Sequence, residues 1–190
     1  MITTLMNSTF LRLLSFLSLA TSASAALSVN VDAGAGTLAV FRDGDEKPIV
    51  TQNARPDFRP YIHPLVAPDG KGELTEYSPG HHKHQTGLYW GFTRLNGRDY
   101  FHHPESTHWR RVKLEALESN GSRVSWRTVY ELLAEDDTTV LTETQTWTLH
   151  DHGDRYEMDL LWQGEAQTEV TVAKYDYGGL FLRMPWRQGI

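Results

Sequence analysis

The chain has 190 residues, with 24 acidic against 18 basic side chains and no cysteine. A net charge of −6 without a basic block argues against nucleic acid as a partner, and the lack of cysteine excludes a disulfide framework or thiolate metal site. With 39% apolar and 22% charged residues spread along it, the composition fits one globular domain and does not fit a disordered chain.

Residues 1–25 read as a secretory signal. They carry one base (Arg12), an apolar stretch over 10–20, and small residues ending in Ala23-Ser24-Ala25, an A-x-A cleavage site. The apolar stretch is about half of the ~20 residues that a membrane-spanning helix needs. The mature region, 26–190, is therefore expected to be exported, periplasmic or secreted, with no membrane span once the signal is removed.

Past the signal the pattern has period two. Val124, Trp126, Thr128 and Tyr130 share one face. Leu141, Glu143, Gln145, Trp147 and Leu149 alternate with a row of four threonines, and Tyr156, Met158, Leu160 and Trp162 repeat the pattern. A half-buried antiparallel strand requires this alternation. Strands are expected over 27–31, 37–42, 88–93, 109–117, 122–130, 140–149, 155–163 and 170–175, and residues 178–184 read as the start of a further element. Hairpin signals stand at Asn120-Gly121 and at 151–154. No segment holds a sustained 3.6 period, so the expected fold is all-β, a single antiparallel β-sandwich over 26–190.

Between residues 55 and 108 the texture changes. Six of the eight prolines and seven of the nine histidines fall here. Dense polar and aromatic loops on a strand scaffold are where function concentrates. In Gly80-His81-His82-Lys83-His84-Gln85, an extended backbone would put His82 and His84 on one face. Two such imidazoles could act as general acid and base, or ligate a divalent metal with a third ligand from His63, His102 or His103. Candidate carboxylates are Glu73, Glu76 and Asp99. The Asn96-Gly97 turn places Arg94 and Asp99 near a loop tip and close to His102. Forked hydrogen bonds from Arg94, Asn96 and Asp99 suit vicinal hydroxyls, and Trp90 could offer a flat face to a sugar ring. In Arg59-Pro60-Tyr61-Ile62-His63-Pro64, two prolines set a rigid extended segment with Tyr61 and His63 on one side. Serine-nucleophile, nucleotide-loop and H-E-x-x-H signatures are absent from the sequence.

In R-P-Y-I-H-P-L (59–65), P-D-G (68–70), H-H-K-H-Q-T-G-L-Y-W-G (81–91) and N-G-R-D-Y-F-H (96–102), the sequence resembles a bacterial family of exported proteins filed under the name PmoA. These stretches fall within residues 59–102, about a quarter of the chain. The name does not carry methane oxidation with it, because the monooxygenase subunit so called is a multi-spanning helical protein. The resemblance implies a sandwich similar to galactose-mutarotase-like supersandwiches, associated with carbohydrate use. It also implies a further C-terminal segment, so the sandwich is expected to be incomplete there. The resulting expectation is a sugar- or glycoside-acting protein. His63, His82, His84 and His102 are its catalytic candidates, and Arg59, Tyr61, Trp90, Arg94, Asn96 and Asp99 bind the ligand. The alternatives are a non-catalytic carbohydrate- or surface-binding module and a metal-dependent sandwich protein held by His82 and His84.

Overall fold

A computed structural model describes residues 25–186; the expected signal segment lies outside them except for Ala25. Ten strands follow one another: β1 (Leu27–Asp32), β2 (Thr37–Arg42), β3 (Val50–Asn53), β4 (Tyr61–Leu65), β5 (Leu88–Gly91), β6 (Trp109–Asn120), β7 (Arg123–Leu133), β8 (Thr139–Asp151), β9 (Tyr156–Ala166) and β10 (Gly179–Leu182). They form two antiparallel sheets, a six-stranded one in the order β1-β2-β3-β4-β5-β10 and a four-stranded meander β6-β7-β8-β9. The fold is all-β, a two-sheet sandwich. Among the described residues no helix is long and apolar enough to cross a membrane.

The long strands of the meander lie where the alternation placed them, in register from Asn120↔Arg123 and from Asp151↔Tyr156. Their inner residues Val124, Trp126, Trp147 and Leu149 close on Leu38, Val40, Val50 and Ile62 of the other sheet. A buried Trp N–H loses its hydrogen bond to water and gains from an acceptor inside the core. Three inward polar side chains serve that need. Trp126 Nε1 donates to Gln52 Oε1 at 3.0 Å, Trp147 to Gln145 Oε1 at 3.1 Å and Trp162 to Glu143 Oε2 at 2.8 Å. Glu143 is fully buried, and burial pushes its carboxyl up to about 7.

Three segments differ from expectation. Residues 170–175 form no strand: Val172 makes one bridge to Leu95, because the neighbour at that point is a loop tip with no strand ladder to extend. The short strand β3 was not foreseen, and β10 was expected only as the start of a further element over 178–184. β10 pairs with β5 through Leu180↔Trp90 and Phe181↔Tyr89, and so becomes the sheet edge.

Because side chains alternate across β4, β5 and β10, Ile62 and Leu88 enter the intersheet core. Tyr61, Tyr89 and Phe101 form a separate cluster, with Phe58 and Phe181 packed against it. Against this second cluster lie the loops that carry the histidines.

Candidate functional site

Arg59 joins two of those loops. Its side chain is fully buried beneath them with the guanidinium 3.6 Å from the centre of the Tyr89 ring. Nη2 donates to the carbonyl of His84 at 2.7 Å and to Thr86 Oγ1 at 3.2 Å, while Nη1 donates to the carbonyl of Phe101. Desolvation lowers the guanidinium to about 10, still charged at neutral pH. A planar fork reaches both carbonyls at once, which an ammonium does not. The residue expected to bind ligand instead fixes the backbone of two histidine-bearing segments.

The first segment is not extended. His82 N–H donates to Pro79 O at 2.8 Å and Gln85 N–H to His82 O at 3.0 Å, so 79–85 is a pair of consecutive turns. The turns gather the imidazoles all the same: His82 and His84 rings lie 5.9 Å apart, edge-on. In the second segment Asp99 caps its own turn. Its Oδ1 accepts the backbone N–H groups of Phe101 and His102, both at 3.0 Å, and its Oδ2 stands 2.8 Å from His102 Nδ1. Burial alone would raise the Asp99 carboxyl, but the backbone and ring N–H groups of His102 outweigh it and hold it below the usual carboxylate range. With Nδ1–H given to Asp99, His102 Nε2 is an acceptor, and the Tyr177 hydroxyl lies 3.0 Å from it.

The two segments meet where the His84 and His102 rings approach to 4.5 Å. A cavity of about 380 Å³ opens there, lined by His82, His84, His102 and Tyr177 with Phe101 and Phe181 as apolar walls. His84 is driven down to about 4, first by desolvation and then by the positive potential of His102, Arg59 and His82. It is neutral at physiological pH, and its ring offers one N–H and one lone pair.

The remaining expected residues lie elsewhere. His63 does not line the cavity. Its Nδ1 bonds Thr75 Oγ1 at 3.0 Å, its Nε2 is 3.9 Å from Glu73, and its ring stacks on Tyr77 at 5.7 Å. It contacts the early part of the 66–87 loop, whereas His84 belongs to the late part, so the two do not join. Tyr61 is buried in the aromatic cluster, its ring 5.4 Å from Tyr77. Trp90 stacks on Trp162 of the opposite sheet at 5.0 Å. Asn96 spends its amide on the main chain of Glu169 and Thr171, tying down the β9–β10 connector. Arg94 stays near the site, 3.7 Å from Asp99 Oδ2 and 4.3 Å over the Tyr175 ring. Among the described residues no three His, Cys, Asp or Glu side chains are arranged to hold a metal ion. Sequence reasoning missed Tyr177 and Phe181, which lie in the poorly patterned stretch after β9.

Fold and site together define a two-sheet antiparallel sandwich with a histidine-lined cavity built by loops. The chain belongs to DUF6807, a family of unknown function, whose model matches residues 28–189. No curated protein and no solved structure matches. The family found is thus one without an assigned activity, and the comparisons lend the PmoA-like name no support.

Proposed function

We propose that the protein is an exported carbohydrate-active enzyme that moves protons on a sugar held beside His84 and His102. The observation carrying this is the contact of two imidazoles with unlike surroundings, rings 4.5 Å apart. His84 is kept neutral first by desolvation, with the Arg59 guanidinium adding to it, while His102 has a carboxylate behind it. Groups whose environments differ in this way divide the acid and base roles between them. The His102–Asp99 pair is the proton acceptor, its imidazolium stabilised by the carboxylate. Neutral His84 offers an N–H to an oxyanion developing on the ligand. Phe101 and Phe181 present apolar surfaces suited to the C–H face of a sugar ring, and a cavity of about 380 Å³ is of a size for a small ligand. The segment 1–25, read as a signal ending in an A-x-A site, supports the exported part of this reading.

The test follows anomer exchange of D-glucose and D-galactose, and hydrolysis of their p-nitrophenyl glycosides, by NMR. An acceleration over buffer is expected, reduced by ~10²-fold or more in His84→Ala and His102→Ala. Binding of these sugars without turnover would make the protein a carbohydrate-binding module, and neither binding nor turnover removes the sugar altogether.

A further inference from the structure

The charges around the cavity between the His84 and His102 loops pair off, with one left over. Arg183 donates from Nε to Glu76 Oε2 at 2.8 Å and from Nη1 to Gln85 Oε1 at 3.1 Å, so that ion pair closes on itself. Arg94 lies 3.7 Å from Asp99 Oδ2, and Asp99 also faces His102. Lys83, Lys174 and Asp176 are exposed to solvent, where their fields are screened. Arg59 is different. It is fully buried and charged, and its partners are three carbonyls, the Thr86 hydroxyl and the Tyr89 ring, none of them a carboxylate. Glu143 and Glu105 act on it only through space. A buried charge without a counter-charge is costly. The segments whose carbonyls Arg59 holds put His84 and Phe101 on the cavity wall, and no acidic side chain lines that wall among the described residues. In a chain of net charge −6, this spot is locally positive.

We propose that this cavity is a carboxylate-binding site, and that its ligand is an organic monocarboxylate with a flat apolar body of about the size of benzoate. This goes beyond the sugar-acting function and does not rest on it. The carboxylate takes hydrogen bonds from the His84 ring and the Tyr177 hydroxyl, with Arg59 beneath as its counter-charge, and the body lies between the walls made by Phe101 and Phe181. One leftover guanidinium, its N–H groups given to carbonyls, matches a single negative charge. A phosphate would call for several convergent N–H donors and more positive charge. Binding is coupled to a proton. The Tyr177 hydroxyl lies 3.0 Å from His102 Nε2, to which it donates while Asp99 holds the proton on Nδ1. Protonation of His102 makes Nε2 the donor to the phenol oxygen, and the phenol's own proton then turns to the ligand. His84, kept neutral in the free protein first by desolvation, with Arg59 adding to it, also takes up protons more readily once an anion lies beside it. The anion favours the imidazolium, so its affinity is full at low pH and falls as pH rises through the imidazole range.

The experiment titrates the whole protein with sodium benzoate, with benzamide as the neutral counterpart of the same shape, and with inorganic phosphate. Calorimetry is run at pH 6 and pH 8 in buffers of different ionisation enthalpy, and the ring resonances of His84 and His102 are followed by NMR. Benzoate is expected to bind ~10-fold or more tighter than benzamide, with proton uptake, with weaker binding at pH 8 than at pH 6, and with both ring signals shifted. Tyr177 is 46% exposed, so its hydroxyl can be removed without opening the core. Tyr177→Phe and His84→Gln are each expected to lose ~10-fold in affinity for benzoate and to leave benzamide unchanged. Equal affinity for benzoate and benzamide overturns the site, as does no binding of any probe at millimolar concentration. Phosphate binding without benzoate binding overturns the carboxylate, and benzoate binding untouched by both variants places the anion outside the cavity and overturns the proposal. No probe here is a sugar, so each failure leaves the sugar-acting function to its own assay, and failure of that assay leaves the carboxylate site standing.

Discussion

Arg59→Lys probes the joint between fold and site. The guanidinium holds the carbonyls of His84 and Phe101 and the hydroxyl of Thr86, and stacks on Tyr89. A lysine ammonium can follow one branch of that fork, leaving the other carbonyl buried without a donor. Hydrogen bonds to charged groups are worth ~1.5–3 kcal/mol each, and the stacking adds ~1 kcal/mol. Since the lysine recovers part of one branch, the expected loss is about 3 kcal/mol. At ~2–4 °C per kcal/mol for a domain of this size, the melting temperature falls by ~6–12 °C. Removing the charge altogether in Arg59→Met leaves both carbonyls bare and costs at least as much. Thermal unfolding followed by circular dichroism gives the number, and the ring resonances of His84 and His102 show whether the two loops part. A melting temperature within ~1 °C of wild type, with both histidine signals unmoved, would refute the role of Arg59 as the staple.

Glu143 sets a pH dependence of opposite sign to the ordinary carboxylate. Its folded value, about 7 against a usual 4.5, is raised, so the stability it contributes is fully present below 4.5 and lost as pH rises through 7. On the order of 3 kcal/mol is at stake. The urea-derived stability difference between wild type and Glu143→Gln should shift by about 2–3 kcal/mol between pH 5 and pH 8 in favour of the variant; parallel pH profiles would contradict this. Asp99→Asn removes the charge that orients His102. Anomer exchange should drop by ~10²-fold or more with little change in melting temperature, and an unaltered rate would show the carboxylate to be idle. Gly87→Ala should be much worse than Gly97→Ala. Both have positive φ, but a Cβ at 87 would lie 2.4 Å from the carbonyl oxygen of Ile62, whereas nothing stands within 4 Å at 97. Equal melting temperatures for the two variants would show that the β4–β5 contact is loose.

The meander was legible because its strands are long, and the buried side chains of β7 and β8 and the half-buried ones of β9 recur mostly at every second position. Eleven residues of β7 or β9 repeat the alternation often enough to leave no doubt of period or register. The four residues of β3 or β10 do not. Residues 170–175 carry the composition of a strand, but composition supplies no partner, and the partner is what makes a strand. The proximity of His82, His84, Asp99 and His102 was legible because they fall within twenty-odd residues and turn chemistry brings them round. Tyr177 was invisible because it arrives from 75 residues away. The place of Arg59 was not legible: a forked donor suits a ligand and suits two carbonyls equally, and the structure has it buried on the carbonyls of His84 and Phe101. His63 stands on β4 against Thr75, Glu73 and Tyr77, and its distance from His84 depends on how the following loop folds back, which spacing along the chain does not give.

The central claim is that His84 lies against His102 in one partly desolvated cavity. Its most direct test is the pH titration of the His84 ring by NMR, read together with the cross-relaxation between the two rings. A midpoint near 4 with a clear His84–His102 contact is the expected result. A midpoint at the ordinary 6.5 with no contact would mean that the two loops do not meet and that no site is formed there.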